Sequence, residues 1–136
     1  MRIQELYELY RQSAGVCTDT RKIRPGVLFF ALKGDRFDAN AFAAEALAAG
    51  AAFAIIDDPA RATEARMLLV PDVLTTLQDL ARYHRHQLRI PVIGLTGSNG
   101  KTTSKELLNA VLAKKFKTFA TVGNLNNHIG VPLTIL

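Results

Sequence analysis

Gly94-Leu95-Thr96-Gly97-Ser98-Asn99-Gly100-Lys101-Thr102-Thr103 is the stretch whose reading decides the fold. A phosphate-binding loop ordinarily has Gly, four residues, then Gly-Lys-Ser/Thr. Here Leu95 stands where that first Gly belongs and Gly94 comes one place early, so the spacing is missed by one position. The physics is retained. Gly97 and Gly100 can adopt dihedrals closed to other residues and let backbone approach an anion. The N–H groups of Gly97, Ser98, Asn99, Gly100, Lys101 and Thr102 can then turn toward phosphate oxygens, at the start of a helix whose dipole favours negative charge. Lys101 is the expected catalytic charge on the β and γ phosphates of a nucleoside triphosphate. Thr102 is the expected Mg²⁺ ligand, and Thr103 is expected to bond a phosphate or the loop. An ordinary turn that happens to hold Gly and Lys is the competing reading. A dinucleotide fold is disfavoured, because G-x-G-x-x-G is absent.

The neighbours of this loop support the phosphate reading. Pro91 to Thr96 predicts a strand and Lys101 to about Ala113 a helix, with Leu107, Leu108, Val111 and Leu112 on one side. Thr118 to Ala120 predicts a second strand. The order strand–loop–helix–strand opens a nucleotide-binding α/β domain. Beyond it, residues 121–132 contain Asn124, Asn126, Asn127 and His128. Such a density of amides is costly to bury unpaired. Asn124 and Asn127 are expected to bridge backbone to nucleotide or substrate; a loop bonding to itself is the alternative. No second ligand at useful spacing makes His128 a metal site. The apolar ending VPLTIL leads us to expect truncation inside a domain.

Working toward the N-terminus, Ile3 to Tyr10 predicts a helix and Val16 to Thr18 a short strand. Val27 to Leu32 is an apolar run that reads as a strand covered on both faces. Asp38 to Gly50 predicts a helix capped by Asp38, with an alanine-rich face suited to close packing on a sheet. Ala52 to Ile56 and Met67 to Val70 predict strands, and Asp72 caps a helix through residue 87. The expected class is α/β: a small mixed α/β domain over residues 1–88, then the first strand–loop–helix–strand unit of a phosphate-loop ATPase domain over 89–136.

Composition bounds the function. The chain has 136 residues, 49% hydrophobic and 21% charged, which supports a packed core. Its +5 charge is uneven. Residues 1–90 hold 12 basic and 11 acidic side chains, whereas residues 91–136 hold 5 basic and 1 acidic. A local anion site accounts for that excess, and Lys114, Lys115 and Lys117 lack an aromatic stacking platform, so no nucleic-acid partner is expected. One cysteine, Cys17, excludes an internal disulfide and a thiolate zinc cluster. The N-terminus lacks a signal-peptide core, and no apolar run approaches the roughly 20 residues of a membrane span. A cytoplasmic protein with no membrane partner is expected.

GLTGSNGKTTSKELL followed by GNLNNHIGVPLTIL closely resembles the ATP-dependent Mur ligases of bacterial cell-wall synthesis. Cys17-Thr18-Asp19-Thr20-Arg21 resembles the family's Ser-x-Asp-Ser-Arg, which contacts the uridine diphosphate part of the substrate, with Cys17 in place of the serine. Phe37-Asp38-Ala39-Asn40 stands where the family has an Asp-Gly-His motif, and two of those three positions differ. The resemblance implies that Thr18, Asp19, Thr20, Arg21, Asp38 and Asn40 bind the substrate. It implies ATP and Mg²⁺ as cofactors. Lys105-Glu106 and the Gly-Val-Pro-Leu-Thr ending imply the step that joins D-alanyl-D-alanine to UDP-N-acetylmuramoyl-tripeptide, by way of an acyl phosphate that the amine attacks. A monomer is expected for the full-length protein. The rival readings are another ligase step, a phosphate-loop kinase acting on an alcohol, and, for this chain alone, a substrate-binding module without turnover.

Overall fold

The computed structural model describes residues 1–136. Helix α1 spans Ile3–Gln12 and strand β1 Val16–Cys17. Strand β2 spans Leu28–Phe30, and β3 (Lys33–Gly34) and β4 (Phe37–Asp38) form a hairpin. Helix α2 is Ala43–Ala48, β5 Phe53–Ile56, β6 Met67–Leu69 and α3 Val73–Gln87. Helices α4 (Lys101–Leu112) and α5 (Gly130–Ile135) follow. Short 3-10 turns occupy Thr20–Lys22, Ala39–Phe42 and Pro59–Arg61.

The main sheet has the order β1-β2-β5-β6 and is parallel throughout. Strand β2 lies inside it and is covered on both faces, as its unbroken apolar run predicts. Side chains alternate across the sheet. Phe29, Ala54 and Ile56 join the alanines of α2 in one core, while Leu28, Phe30 and Ile55 join Leu6 of α1 and Leu77 and Leu80 of α3 in another. The small residues Ala43 and Ala46 let α2 lie close to the sheet. Aspartates order the connections: Asp19, Asp38 and Asp58 each accept from the backbone N–H two residues on, and Asp72 accepts from Thr75 N–H at the head of α3.

Two expectations are corrected. Segments 91–96 and 118–120 form no strands. Val92, Ile93 and Leu95 are exposed, and Phe119 is 77% exposed. A strand exists through its ladder, and neither segment finds a neighbouring backbone to pair with. Helix α4 forms as expected but buries none of its residues. The helix predicted from Asp38 to Gly50 is instead a 3-10 turn leading into α2. The apolar ending is also ordered. It forms α5, whose residues Leu133 and Leu136 pack on the α1–α3 side of the core. Tyr10 Oη donates to the Leu136 carbonyl at 2.6 Å, and Gln78 Nε2 donates to the His128 carbonyl at 3.1 Å.

Candidate active site

The loop before α4 turns on two glycines. Gly97 has φ 148° and Gly100 has φ 77°, both in the region that favours a residue without Cβ. Gly100 occupies the N-cap of α4 and offers no side chain to the first turn. None of the amide N–H groups from Gly97 through Thr103 finds an acceptor within the chain. The first intrahelical donor is Ser104, to the Gly100 carbonyl at 2.9 Å. A row of free donors at a helix head is the arrangement that binds phosphate. Lys101 folds back so that its Nζ donates to the Gly97 carbonyl, which holds the ammonium across the mouth of the loop. Ser98, Asn99, Thr102 and Thr103 are exposed, and the Thr102 hydroxyl makes no hydrogen bond within the chain. That free hydroxyl at the first turn fits a Mg²⁺ ligand. No group of three or more His, Cys, Asp or Glu side chains exists to hold a metal elsewhere.

The asparagine loop lies C-terminal to α4. Asn127 Oδ1 accepts from Ile129 N–H at 3.1 Å and Gly130 N–H at 2.7 Å, so its side chain caps α5. Asn124 is exposed and donates nothing from its amide. Gly130 is needed by close approach: a Cβ there would meet the Leu125 backbone at 2.7 Å. Lys105, one turn after Lys101, donates to the carbonyls of Thr121 at 2.6 Å and Gly123 at 2.7 Å. The sequence marks Lys105 only through the resemblance carried by Lys105-Glu106, and nothing local in it points to residues 121–123.

A second feature sits at the ends of β1 and β2. Thr18, Asp19, Thr20 and Arg21 line a cleft of about 400 Å³ together with Phe29, Phe37, Ala39 and Phe42. Phe37 and Phe42 stack at 5.5 Å, and Phe37 is exposed at the rim. Arg21 forms a fork with Asp19: Nε to Oδ1 at 2.9 Å and Nη2 to Oδ2 at 2.8 Å. Hydrogen bonds from the Arg21 side chain and backbone hold the Asp19 carboxyl at about 2. Cys17 Sγ donates to the Asp19 carbonyl at 3.1 Å, so the thiol braces this turn.

Asp38 and Asn40 lie in a different environment. Asp38 is exposed, and its Oδ1 accepts from Asn40 N–H at 2.9 Å and Nδ2 at 2.7 Å. Asn40 is 1% exposed, donates also to Asp57 Oδ1 at 2.9 Å and accepts from Asp57 N–H at 3.0 Å. The structure therefore makes Asn40 a buried brace rather than a cleft residue. Its partner Asp57 also takes Lys33 Nζ at 2.7 Å and Val73 N–H at 3.1 Å. Burial raises the Asp57 carboxyl, but the bonds from Lys33, Asn40 and Val73 outweigh it and hold the group below its ordinary value. This knot fixes the hairpin, the 39–42 turn and the head of α3 behind the cleft.

Residues 12–85 match the catalytic domain of the Mur ligase family, and residues 95–136 match the Mur ligase middle domain. The chain belongs to the Mur ligase family. Among its curated relatives is the UDP-N-acetylmuramoyl-tripeptide–D-alanyl-D-alanine ligase of Bacillus subtilis, 48% identical over 124 residues, which cover 90% of this chain and 27% of that protein. The enzyme of the same name from Escherichia coli is 47% identical, over 89% of this chain and 26% of its own length. This chain thus spans about a quarter of the curated relatives it matches. Among solved structures, MurF from Acinetobacter baumannii superposes with a TM-score of 0.80 at 37% identity, covering 98% of this chain and 32% of that one. MurF from Thermotoga maritima, solved in complex with ADP, gives 0.80 at 38% identity, over 94% of this chain and 29% of its own. The family's α/β class and parallel sheet are those of this chain.

Proposed function

We propose that the protein carrying this chain is an ATP-dependent amide ligase that joins D-alanyl-D-alanine to UDP-N-acetylmuramoyl-tripeptide. The observation that carries the reading is the glycine loop at the head of α4, whose amides from Gly97 through Thr103 have no partner and whose Lys101 stands over the loop. The names of the relatives supply the substrates.

The two parts of the chain divide the work. Residues 1–88 form the substrate domain and residues 89–136 open the ATPase domain. In the cleft, Arg21 uses only one edge of its guanidinium on Asp19, so its other N–H groups remain free to grip a diphosphate as a fork. Thr18 and Thr20 add hydroxyls, and the exposed face of Phe37 offers a surface on which a planar base can stack. At the loop, bound ATP supplies the activation of the tripeptide carboxylate, which by itself has no good leaving group. The chain's part is positioning and charge: the backbone amides would hold phosphate oxygens, Lys101 would exchange the Gly97 carbonyl for phosphate, and the Thr102 hydroxyl would be a Mg²⁺ ligand. Asn124 keeps a free amide for the nucleotide or substrate.

The test is an ADP-release assay on the full-length protein. Release requires UDP-N-acetylmuramoyl-tripeptide, ATP and D-alanyl-D-alanine together, and mass spectrometry finds the dipeptide in the product. Lys101→Ala lowers kcat by about 10²- to 10³-fold, the scale of one lost transition-state charge contact, with the circular dichroism spectrum unchanged. ADP release that ignores the dipeptide, or normal turnover in the folded variant, overturns the reading.

A further inference from the structure

Two lysines stand one turn apart on the same face of α4, and they are in opposite states. Lys101 is at the loop and makes a single bond, to the Gly97 carbonyl. Lys105 has a side chain only 15% exposed, and its ammonium is fully coordinated: the carbonyls of Thr121 at 2.6 Å and Gly123 at 2.7 Å, and Glu106 Oε1 at 2.9 Å. An ammonium has three N–H donors. All are engaged, so Lys105 has none left for a ligand. What it does hold is the strand-less segment entering the asparagine loop.

That segment has few ties of its own. Between Lys117 and Asn126, its hydrogen bonds to the rest of the fold run through Lys105, with only local turns at Leu125 N–H to Val122 and Asn126 N–H to Asn124. Asn124, Asn127 and the head of α5 follow directly, and Asn127 sets the α5 cap. We propose that Lys105 is a positioning residue for the ligase reaction: by clamping the Thr121 and Gly123 carbonyls to the nucleotide helix, it sets the asparagine loop in register with the phosphate loop. Bonds from a charged donor to carbonyls are stronger than neutral ones, and misplacement of a loop by about 1 Å costs on the order of 10²-fold in rate. The inference rests on the ligase reading above.

The full-length protein separates the two claims. In Lys105→Met, kcat falls about tenfold or more while KM for ATP stays within about twofold, because the phosphate loop is untouched. Hydrogen exchange of the 121–131 peptide speeds up about tenfold, since its clamp is gone. Lys105→Arg, whose fork also bonds two carbonyls, recovers most of kcat. Unchanged kcat and exchange in Lys105→Met, or loss of kcat and nucleotide affinity together with no recovery in Lys105→Arg, overturns the positioning role. Lys101→Met is the control. If it loses turnover while Lys105→Met does not, only the positioning role fails; if neither loses turnover, the ligase reading fails as well.

Discussion

Asp19 and Arg21 form a fork-to-fork pair in which Arg21 is largely exposed. An exposed pair of that kind contributes little to stability. Its value here lies in orientation, because the pair fixes a guanidinium at the edge of the cleft with donors to spare. Arg21→Ala therefore weakens UDP-N-acetylmuramoyl-tripeptide binding about tenfold or more, the scale of a lost hydrogen bond to a charged group. Calorimetric titration reads this directly. The same pair has a pH signature. The Asp19 carboxyl lies at about 2 in the fold against an ordinary 3.8. The unfolded chain binds the proton first, so the stabilisation is complete above the ordinary value and is lost as pH falls through about 2. An NMR titration of the Asp19 carboxyl shows a midpoint below the ordinary carboxylate value that moves back toward it in Arg21→Ala; a midpoint unmoved by that substitution would contradict the assignment.

At the scale of elements, the Asn40–Asp57 knot joins parts of the chain that local sequence cannot connect. Asn40 closes the 39–42 turn, Asp57 ends β5, and Val73 begins α3. Asn40→Ala leaves the Asp57 backbone N–H without a partner and takes one donor from the Asp57 carboxylate, which keeps Lys33 and Val73, and costs about 1–3 kcal/mol of unfolding free energy. Denaturant titration measures it; a change below about 0.5 kcal/mol would show the knot to be incidental. The β2 run, the alanine face of α2 and the caps at Asp38 and Asp72 were all legible, because each depends on neighbours in sequence. The β3–β4 hairpin was not, since two-residue strands carry no period. Segments 91–96 and 118–120 have strand composition yet form none. Their hydrophobicity records a demand for burial, and pairing needs a partner strand that this chain does not present. Asn40 was read from its place in a motif, and only the fold shows that Asp57, 17 residues away, takes its amide. Lys105 was visible as a letter, whereas its clamp depends on where residues 121–123 pass.

Across the whole molecule, a parallel sheet between two cores sets the cleft at the ends of β1 and β2, and the chain then runs on to a phosphate loop carried by an uncovered helix. Helix α5 returns to α3 and α1 through Leu133, Leu136 and the Tyr10 bond, so the end of the second segment is anchored on the first. No helix is long and apolar enough to cross a membrane. The central claim concerns the free amides of the loop. They have no protein partner, so they exchange quickly until an anion takes them. Hydrogen exchange of the 97–103 segment in the full-length protein, with and without saturating ATP and Mg²⁺, tests this most directly. The account predicts strong slowing across Gly97 to Thr103 that disappears in Lys101→Ala at the same nucleotide concentration. Exchange in that segment that is indifferent to bound ATP would contradict it.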